Sequence, residues 1–271
     1  MDILSGYRGK RVVVTGCHSG IGHATASLLL GAGAEVHGLD IKPVDLTLAS
    51  YTPLDLKDPH SIESASEAIP GPIDALFNCA GVAPGWAPAD VMAVNFIGTR
   101  YLTERLSVAM GEGSAIVSVA SNGGAGWMQH LPILGELTAT ASFEEAVSWY
   151  GAHAAQAPHA YSFSKEAVIA WTLKTSGSLI RRGIRMNCTS PGAVQTPMLD
   201  EIEKVTPSAS IDVMAQPIGR RSIAVEQAWP LLFLNSDAAS YINGVVLPVD
   251  GGFLGAKSID PASSLSDIGR K

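Results

Sequence analysis

Tyr161 and Lys165, in the run Y-S-F-S-K, stand four residues apart in a segment that reads as helix. That spacing puts both side chains on one helix face. A phenol with a pKa near ~10 is a poor acid or base at neutral pH. An ammonium beside it favours the phenolate and lowers that pKa. The pair is therefore a candidate proton-transfer device for an alcohol or a ketone. Y-x-x-x-K also arises on ordinary helix surfaces, so the elements around it decide its meaning.

A second chemical signal lies near the N-terminus, in R-V-V-V-T-G-C-H-S-G-I-G. Val12, Val13 and Val14 form a β-branched run suited to a strand buried on both faces. Gly16, Gly20 and Gly22 follow, and A-T-A-S-L-L-L then reads as helix. Strand, glycine-rich turn and helix is the order in which backbone can approach a pyrophosphate at a helix N-terminus. The next strand, E-V-H-G-L-D, ends in Asp40, eighteen residues past Gly22. That is close to the spacing of an acid that binds an adenosine ribose. Together the two signals predict dinucleotide binding.

The chain has 271 residues, 46% apolar and 16% charged, which suits one large α/β domain. A formal charge of −7, with no basic stripe, argues against a nucleic-acid partner. No apolar run reaches the length of a membrane span. The start, M-D-I-L-S-G-Y-R-G-K, lacks the apolar core of a signal peptide, so the expected location is cytoplasmic. Cys17, Cys79 and Cys188 are widely spaced and read as reduced and structural. The seven histidines show no ligand spacing, and no catalytic metal is expected.

Strand and helix patterns alternate along the chain. Strands are expected at 11–16, 35–40, 50–55, 74–80, 114–120, 185–190 and 245–249. Helices are expected at 20–32, 58–69, 88–110, 161–181 and 224–235. Repeated βα units of this kind predict a doubly wound parallel sheet of Rossmann type with helices on both faces. Ligands of such sheets bind beyond the C-terminal strand ends. Asn78, Ala80 and Gly81 end the fourth strand, Ser121 ends the fifth, and Pro191 and Gly192 end the sixth. Two stretches break the pattern. Residues 122–160 are long for a connection, and residues 255–271 read as a polar, mobile tail.

These residues together resemble the short-chain dehydrogenase/reductase family in its compact single-domain form. The likeness spans roughly residues 8–255 and rests on T-G-C-H-S-G-I-G, Asp40, Asp55, N-C-A-G, Asn95 in V-N-F, Ser121, Y-S-F-S-K and P-G-A-V-Q-T. It implies a single NAD-binding domain over 1–255, carrying the insert 122–160, with 256–271 as tail. It implies that Tyr161 is the acid–base, that Ser121 holds the substrate oxygen, and that Lys165 lowers the tyrosine pKa and binds the nicotinamide ribose. Asn95 would hold a water linking Lys165 to solvent. Gly16, Ser19, Gly20, Ile21 and Gly22 would surround the pyrophosphate and adenosine. Asp40 would accept from both ribose hydroxyls, and Asp55 with Leu56 would flank the adenine. Asn78, Ala80 and Gly81 would line the cofactor, and Pro191, Gly192, Val194 and Thr196 would hold its carboxamide end. The expected cofactor is NAD, because Asp40 occupies the place of the 2′-phosphate of NADP.

Two departures refine the likeness. Ser121 and Tyr161 are forty positions apart, far more than is usual for the family, and Asn78 and Asn95 are unusually close. Both features resemble a subgroup that includes bacterial 3α-hydroxysteroid and coniferyl-alcohol dehydrogenases. The coniferyl type is the closer of these two, through K-E-A-V-I-A-W, R-M-N-C and the long insert. The expected substrate is a bulky secondary or benzylic-type alcohol or its ketone or aldehyde. Trp86, Trp127 and Met198 are the candidate pocket residues, since their segments are apolar and aromatic with few charges. The alternatives are a hydroxysteroid dehydrogenase, a dinucleotide-binding regulator without turnover, and an epimerase or dehydratase that keeps its cofactor. Within the insert, Ser142 with Glu145 forms a capping-box pattern, and Phe143, Val147 and Tyr150 would bury one face of a helix. In the family, the helices starting near residues 88 and 161 commonly build one face of a tetramer. An added helix there would obstruct that face, so a homodimer is expected ahead of a tetramer.

Overall fold

The structure is a computed structural model that describes residues 3–157 and 159–260. The main sheet begins with β1 (Arg11–Thr15), β2 (Glu35–Asp40), β3 (Ser50–Pro53), β4 (Ile73–Asn78), β5 (Met110–Val119) and β6 (Arg185–Pro191). A short pair, β7 (Val194–Gln195) and β8 (Ser222–Ile223), stands apart, and β9 (Val246–Val249) returns to the main sheet. The spatial order is β3-β2-β1-β4-β5-β6-β9, and every pairing is parallel. The order reverses between β1 and β4. Loops leave the C-terminal ends of these two strands in opposite directions, and a crevice opens there.

The sheet divides the core. Val13, Leu76 and Ile116 face one layer with Phe96, Phe163 and Trp171. Val12, Val14, Phe77 and Val117 face the other with Leu29 and Leu231. Alternate residues of each strand therefore enter opposite layers, and both layers are apolar. This is why the strands read as continuous β-branched runs. On the second face, α1 (Gly20–Gly31) lies beside the late helix Ala224–Asn235. On the first face lie α2 (Pro59–Ala68), α3 (Pro88–Met92), α4 (Thr99–Ser107) and the helices between β5 and β6.

The segment expected as one helix over 88–110 is three pieces. Between α3 and α4 the chain widens into a π-helix, Ala93–Gly98. Gly98 lies so close to the Leu56 carbonyl that a Cβ would collide with it. The helix ends at Ser107, and Met110 already pairs with Ile73 in the sheet. The apolar run L-S-V-A-M thus continues a helical pattern into a turn and the start of a strand.

The insert holds α5 (Leu131–Leu137) and α6 (Phe143–His153) ahead of the long helix α7 (Ala160–Leu179). The Ser142 hydroxyl accepts from Glu145 N at 3.1 Å, and Glu145 accepts from Ala141 N at 2.6 Å, so α6 begins where its cap pattern predicts. Its buried face is Phe143, Ala146 and Tyr150, whereas Val147 is 41% exposed. The i, i+3, i+7 row meets the core, and Val147 falls on its flank. Arg100 of α4, nearly fully buried, donates to Leu137 O, Thr140 Oγ1 and Ser142 O, and so fastens the α5–α6 loop.

Past β6 come α8 (Pro197–Glu203), α9 (Ser208–Val213) and α10 (Ala224–Asn235). The helices α8 and α9 close a small separate apolar cluster around Leu199 and Ile211. The stretch read as a tail from 255 begins inside a helix, α11 (Phe253–Ile259). Asp250 starts it by accepting from Gly252 N and Leu254 N, and buried Phe253 anchors it. The remainder of that tail, from 261 on, lies outside the described residues.

Candidate active site

One cleft runs along the C-terminal strand edge, and most of the singled-out residues border it. Its volume of about 360 Å³ is in the range of small-molecule sites. At one end Gly16, Ser19, Gly20 and Ile21 form the turn into α1. Gly16 has φ +70°, and a Cβ there would lie 2.7 Å from Ala80 backbone. Gly22 is set back from the cleft, where a Cβ would strike the Gly16 carbonyl. The first and third glycines therefore shape the turn, and the second faces the opening beside Thr196. Ser19 precedes α1 without a side-chain cap, which leaves the helix N-terminus as a donor surface for an anion.

The Asp40 carboxylate ends β2 and is fixed by two backbone donors, His18 N and Lys42 N, each at 2.9 Å. Asp55 and Leu56 continue the same wall, and Ala80, Gly81, Pro191, Gly192, Val194 and Thr196 line the cleft further along. Thr15 joins the two sides, since its hydroxyl accepts from Cys79 N and Ala80 N. These residues fit a nicotinamide dinucleotide: an uncapped helix start for phosphates, a fixed acid at a sugar and a glycine cradle.

The chemical groups meet at the other end. Tyr161 opens α7 and Lys165 follows one turn later, with Nζ 5.8 Å from the Tyr161 ring centroid. Lys165 donates to Val119 O at 3.0 Å. Ser121, just past β5, stands beside the Tyr161 ring next to Gly123, and its hydroxyl accepts from Gly123 N at 3.1 Å. Burial pushes the phenol above its ordinary range, and the nearby Ser121 hydroxyl opposes this. Burial lowers Lys165 from 10.5 to about 8, with Cys79 acting against it. The expected depression of Tyr161 by Lys165 is thus not what dominates here: the ammonium points at a backbone carbonyl, and desolvation is the larger influence on both groups.

Asn95 sits in the π-helix and is buried. Its Oδ1 accepts from Val82 N at 2.8 Å, and its Nδ2 donates to Val82 O and to Ser164 Oγ. It pins the loop after Gly81 rather than bordering the cleft. A π turn re-aims side chains, and such turns recur at functional sites.

Besides Gly22 and Asn95, two more candidates fall outside the cleft. Asn78 points into the sheet face towards α4, donating to Thr103 Oγ1 at 2.9 Å and Ser118 Oγ at 3.2 Å. Its place at a strand end suggested a cofactor contact, but the alternation of β4 directs it inward. Trp127 packs against the core from a short helical turn and does not line the cleft. Trp86 and Met198 do line it, together with Val82, Ala83, Pro197 and Leu199. Sequence reading missed Glu201, which borders the same space and accepts from Trp86 Nε1 at 3.4 Å. It also missed His130, whose Nδ1 lies 2.6 Å from the buried Glu166 of α7 and ties the insert to that helix. No spacing pattern marked either residue.

Residues 10–133 match the family profile described as short chain dehydrogenase, and residues 145–254 one described as Enoyl-(Acyl carrier protein) reductase. The coniferyl-alcohol dehydrogenase of Pseudomonas sp. (strain HR199) is 37% identical over 245 residues, which covers 90% of this chain and 96% of that protein. The 3-alpha-hydroxysteroid dehydrogenase/carbonyl reductase of Comamonas testosteroni is 30% identical over 248 residues, covering 89% and 95%. The solved 3-alpha-hydroxysteroid dehydrogenase of Pseudomonas sp. B-0831, complexed with NADH, superposes with a TM-score of 0.77 at 32% identity, over 92% of this chain and 99% of that one. The chain belongs to the short-chain dehydrogenase/reductase family. It is an oxidoreductase of that family, whose members bind a nicotinamide dinucleotide. Among the described residues no helix is long and apolar enough to cross a membrane, and no cluster of three His, Cys, Asp or Glu could hold a metal ion.

Proposed function

We propose that this chain is an NAD-dependent dehydrogenase of bulky hydrophobic alcohols, benzylic or allylic in type, and of their carbonyl counterparts. The observation that carries this reading is the meeting of Ser121, Tyr161 and Lys165 at the end of a cleft whose other wall is apolar. A bound nicotinamide dinucleotide supplies the hydride acceptor and, when oxidised, a positive charge. Tyr161 takes the hydroxyl proton of the alcohol in oxidation and returns it to the carbonyl oxygen in reduction. Ser121 holds that oxygen beside the phenol. Lys165, charged at neutral pH, favours the phenolate and holds the ribose hydroxyls. Asn95 keeps the Gly81–Val82 backbone in place beneath them. Asp40 accepts from the adenosine ribose and repels a 2′-phosphate, which selects NAD. Trp86 and Met198 contact the organic part of the substrate.

The quaternary reading rests on the insert. The helices α5 and α6 pack on α3, α7 and the π segment, and bury Leu134, Leu137, Phe143 and Tyr150 there. That cover occupies the face a family tetramer would use, and it favours a homodimer. Light scattering at assay concentration checks this, and a stable tetramer contradicts it.

The activity is tested with aromatic, alicyclic and steroid alcohols offered with NAD and NADP, followed by the absorbance of the reduced cofactor. Turnover of aromatic alcohols with NAD is expected. A clear preference for polar polyols, or equal use of both cofactors, contradicts the reading.

A further inference from the structure

The cleft is charged unevenly. His18, Asp40, Lys42, Asp55 and Lys57 border it near the glycine turn and the ends of β2 and β3. At the other end, beyond the catalytic lysine, Glu201 is the one charged side chain among the described lining residues. It lies on α8, whose other lining residues are Pro197, Met198, Leu199 and Ile202. A carboxylate in an otherwise apolar wall governs which substrates that wall accepts.

Its position along the cleft follows from the helix. The Met198 methyl lies 3.7 Å from where a Cβ on Gly81 would be, and the same point is 3.6 Å from Lys165 Nζ. Met198 therefore faces the catalytic end. Glu201 follows three residues later on the same face, ~4.5 Å further along the helix axis. A substrate whose carbinol reaches Tyr161 would extend past Met198 and bring its far end to Glu201.

Glu201 is also only lightly engaged. Its described partner is Trp86 Nε1 at 3.4 Å, across the mouth from α8. That distance is at the long limit for an N–H···O bond, so a better-placed donor displaces it. Trp86 is 46% exposed and its ring forms the facing side of the mouth.

We propose that Glu201 is a specificity-determining residue that accepts a hydrogen bond from a hydroxyl at the far end of an aromatic alcohol and rejects substrates carrying an anion there. The proposal rests on the aromatic-alcohol reading above and names the substrate class within it: phenolic alcohols, with Trp86 stacking on or flanking the ring. The contact is a neutral O–H donating to a carboxylate, a charge-assisted bond. At an exposed mouth, solvent screens part of its strength.

The test compares three matched arylallyl alcohols that differ only at the para position: hydroxyl, methoxyl and carboxylate. Steady-state kcat/KM is measured with NAD for the wild type, Glu201→Gln and Trp86→Phe. The wild type is expected to favour the hydroxyl over the methoxyl compound about fivefold and over the carboxylate compound at least about tenfold. Glu201→Gln keeps an acceptor but removes the charge. It should raise relative use of the carboxylate compound about tenfold and reduce the hydroxyl preference less, with both changes carried mainly by KM. Trp86→Phe removes the competing N–H and shortens the ring against the substrate, so it should shift the rates with all three compounds while leaving the rejection of the carboxylate intact. Glu201 is exposed, so folding is unaffected, and a melting curve verifies it. Identical substrate ratios in the wild type and Glu201→Gln overturn the role of Glu201 while leaving the alcohol activity standing. Failure of the wild type to turn over any of the three overturns the aromatic-alcohol reading and the proposal with it.

Discussion

Replacing Lys165 with Met removes the ammonium and keeps an unbranched apolar stem of similar reach. Burial holds this lysine at about 8 in the folded protein, against 10.5 for the ordinary side chain. The difference of 2.5 units, at ~1.36 kcal/mol each, is on the order of 3 kcal/mol. That is the desolvation cost of keeping the charge in the cleft at neutral pH. The lost bond to Val119 O, 3.0 Å long, offsets much of what the substitution relieves. The difference between the two proteins at neutral pH is therefore small, and its change with pH is the sharper quantity. Below pH 8 the lysine is protonated in both states, and the folded protein bears the full penalty. Between about 8 and 10.5 the unfolded chain binds the proton and the folded protein releases it, so stability rises with pH. Above 10.5 neither state is charged and the penalty is gone. The Met variant lacks this rise. Urea unfolding of both proteins without cofactor, at several pH values from neutral to the upper end of that window, measures it. The wild type should gain on the variant by on the order of 2 to 3 kcal/mol across the window. Parallel stability curves would overturn this prediction, because they would mean that Lys165 titrates like a solvated lysine.

Two further substitutions probe separate parts of the account. Asp40→Ala removes the carboxylate held by His18 N and Lys42 N. It should weaken NAD binding and narrow the NAD-to-NADP ratio of kcat/KM by about tenfold or more, as initial rates with each cofactor will show. Arg100→Ala removes a buried guanidinium that donates to Leu137 O, Thr140 Oγ1 and Ser142 O. It should cost about 3 kcal/mol in denaturant unfolding and increase amide exchange in α5 and α6 beyond that in the sheet.

The fold could be read in the sequence where one periodicity served one environment. β2 and α10 run over the residues their patterns predict, because Val36 to Leu39 and the apolar face of α10 each meet a continuous core. Asp40, Ser121, Tyr161 and Lys165 were legible for a different reason. Asp40 and Ser121 stand at or just past strand ends, and Tyr161 and Lys165 show a four-residue spacing that one helix face explains. Reading failed where distant packing decided. Nothing local says that Gly98 must pass the Leu56 carbonyl, so the π segment was invisible. Ala146, a small residue, took the buried place expected for Val147 because the neighbouring surface was close. Asn78 carried the right residue type at a strand end, and only the sheet's alternation shows that it faces Thr103. Glu201 became visible as a cleft residue only when α8 folded over the opening.

In the proposed nicotinamide-dependent oxidation, Tyr161 handles the proton. Tyr161→Phe tests this step, because it removes one oxygen and leaves the half-buried ring in place. Cofactor binding, followed by fluorescence, and the melting temperature should stay close to those of the wild type. The rate with an aromatic alcohol should fall by about 10²-fold or more, the share typical of a positioned acid–base group. Retention of most of the wild-type rate in Tyr161→Phe, with cofactor bound, would contradict the account.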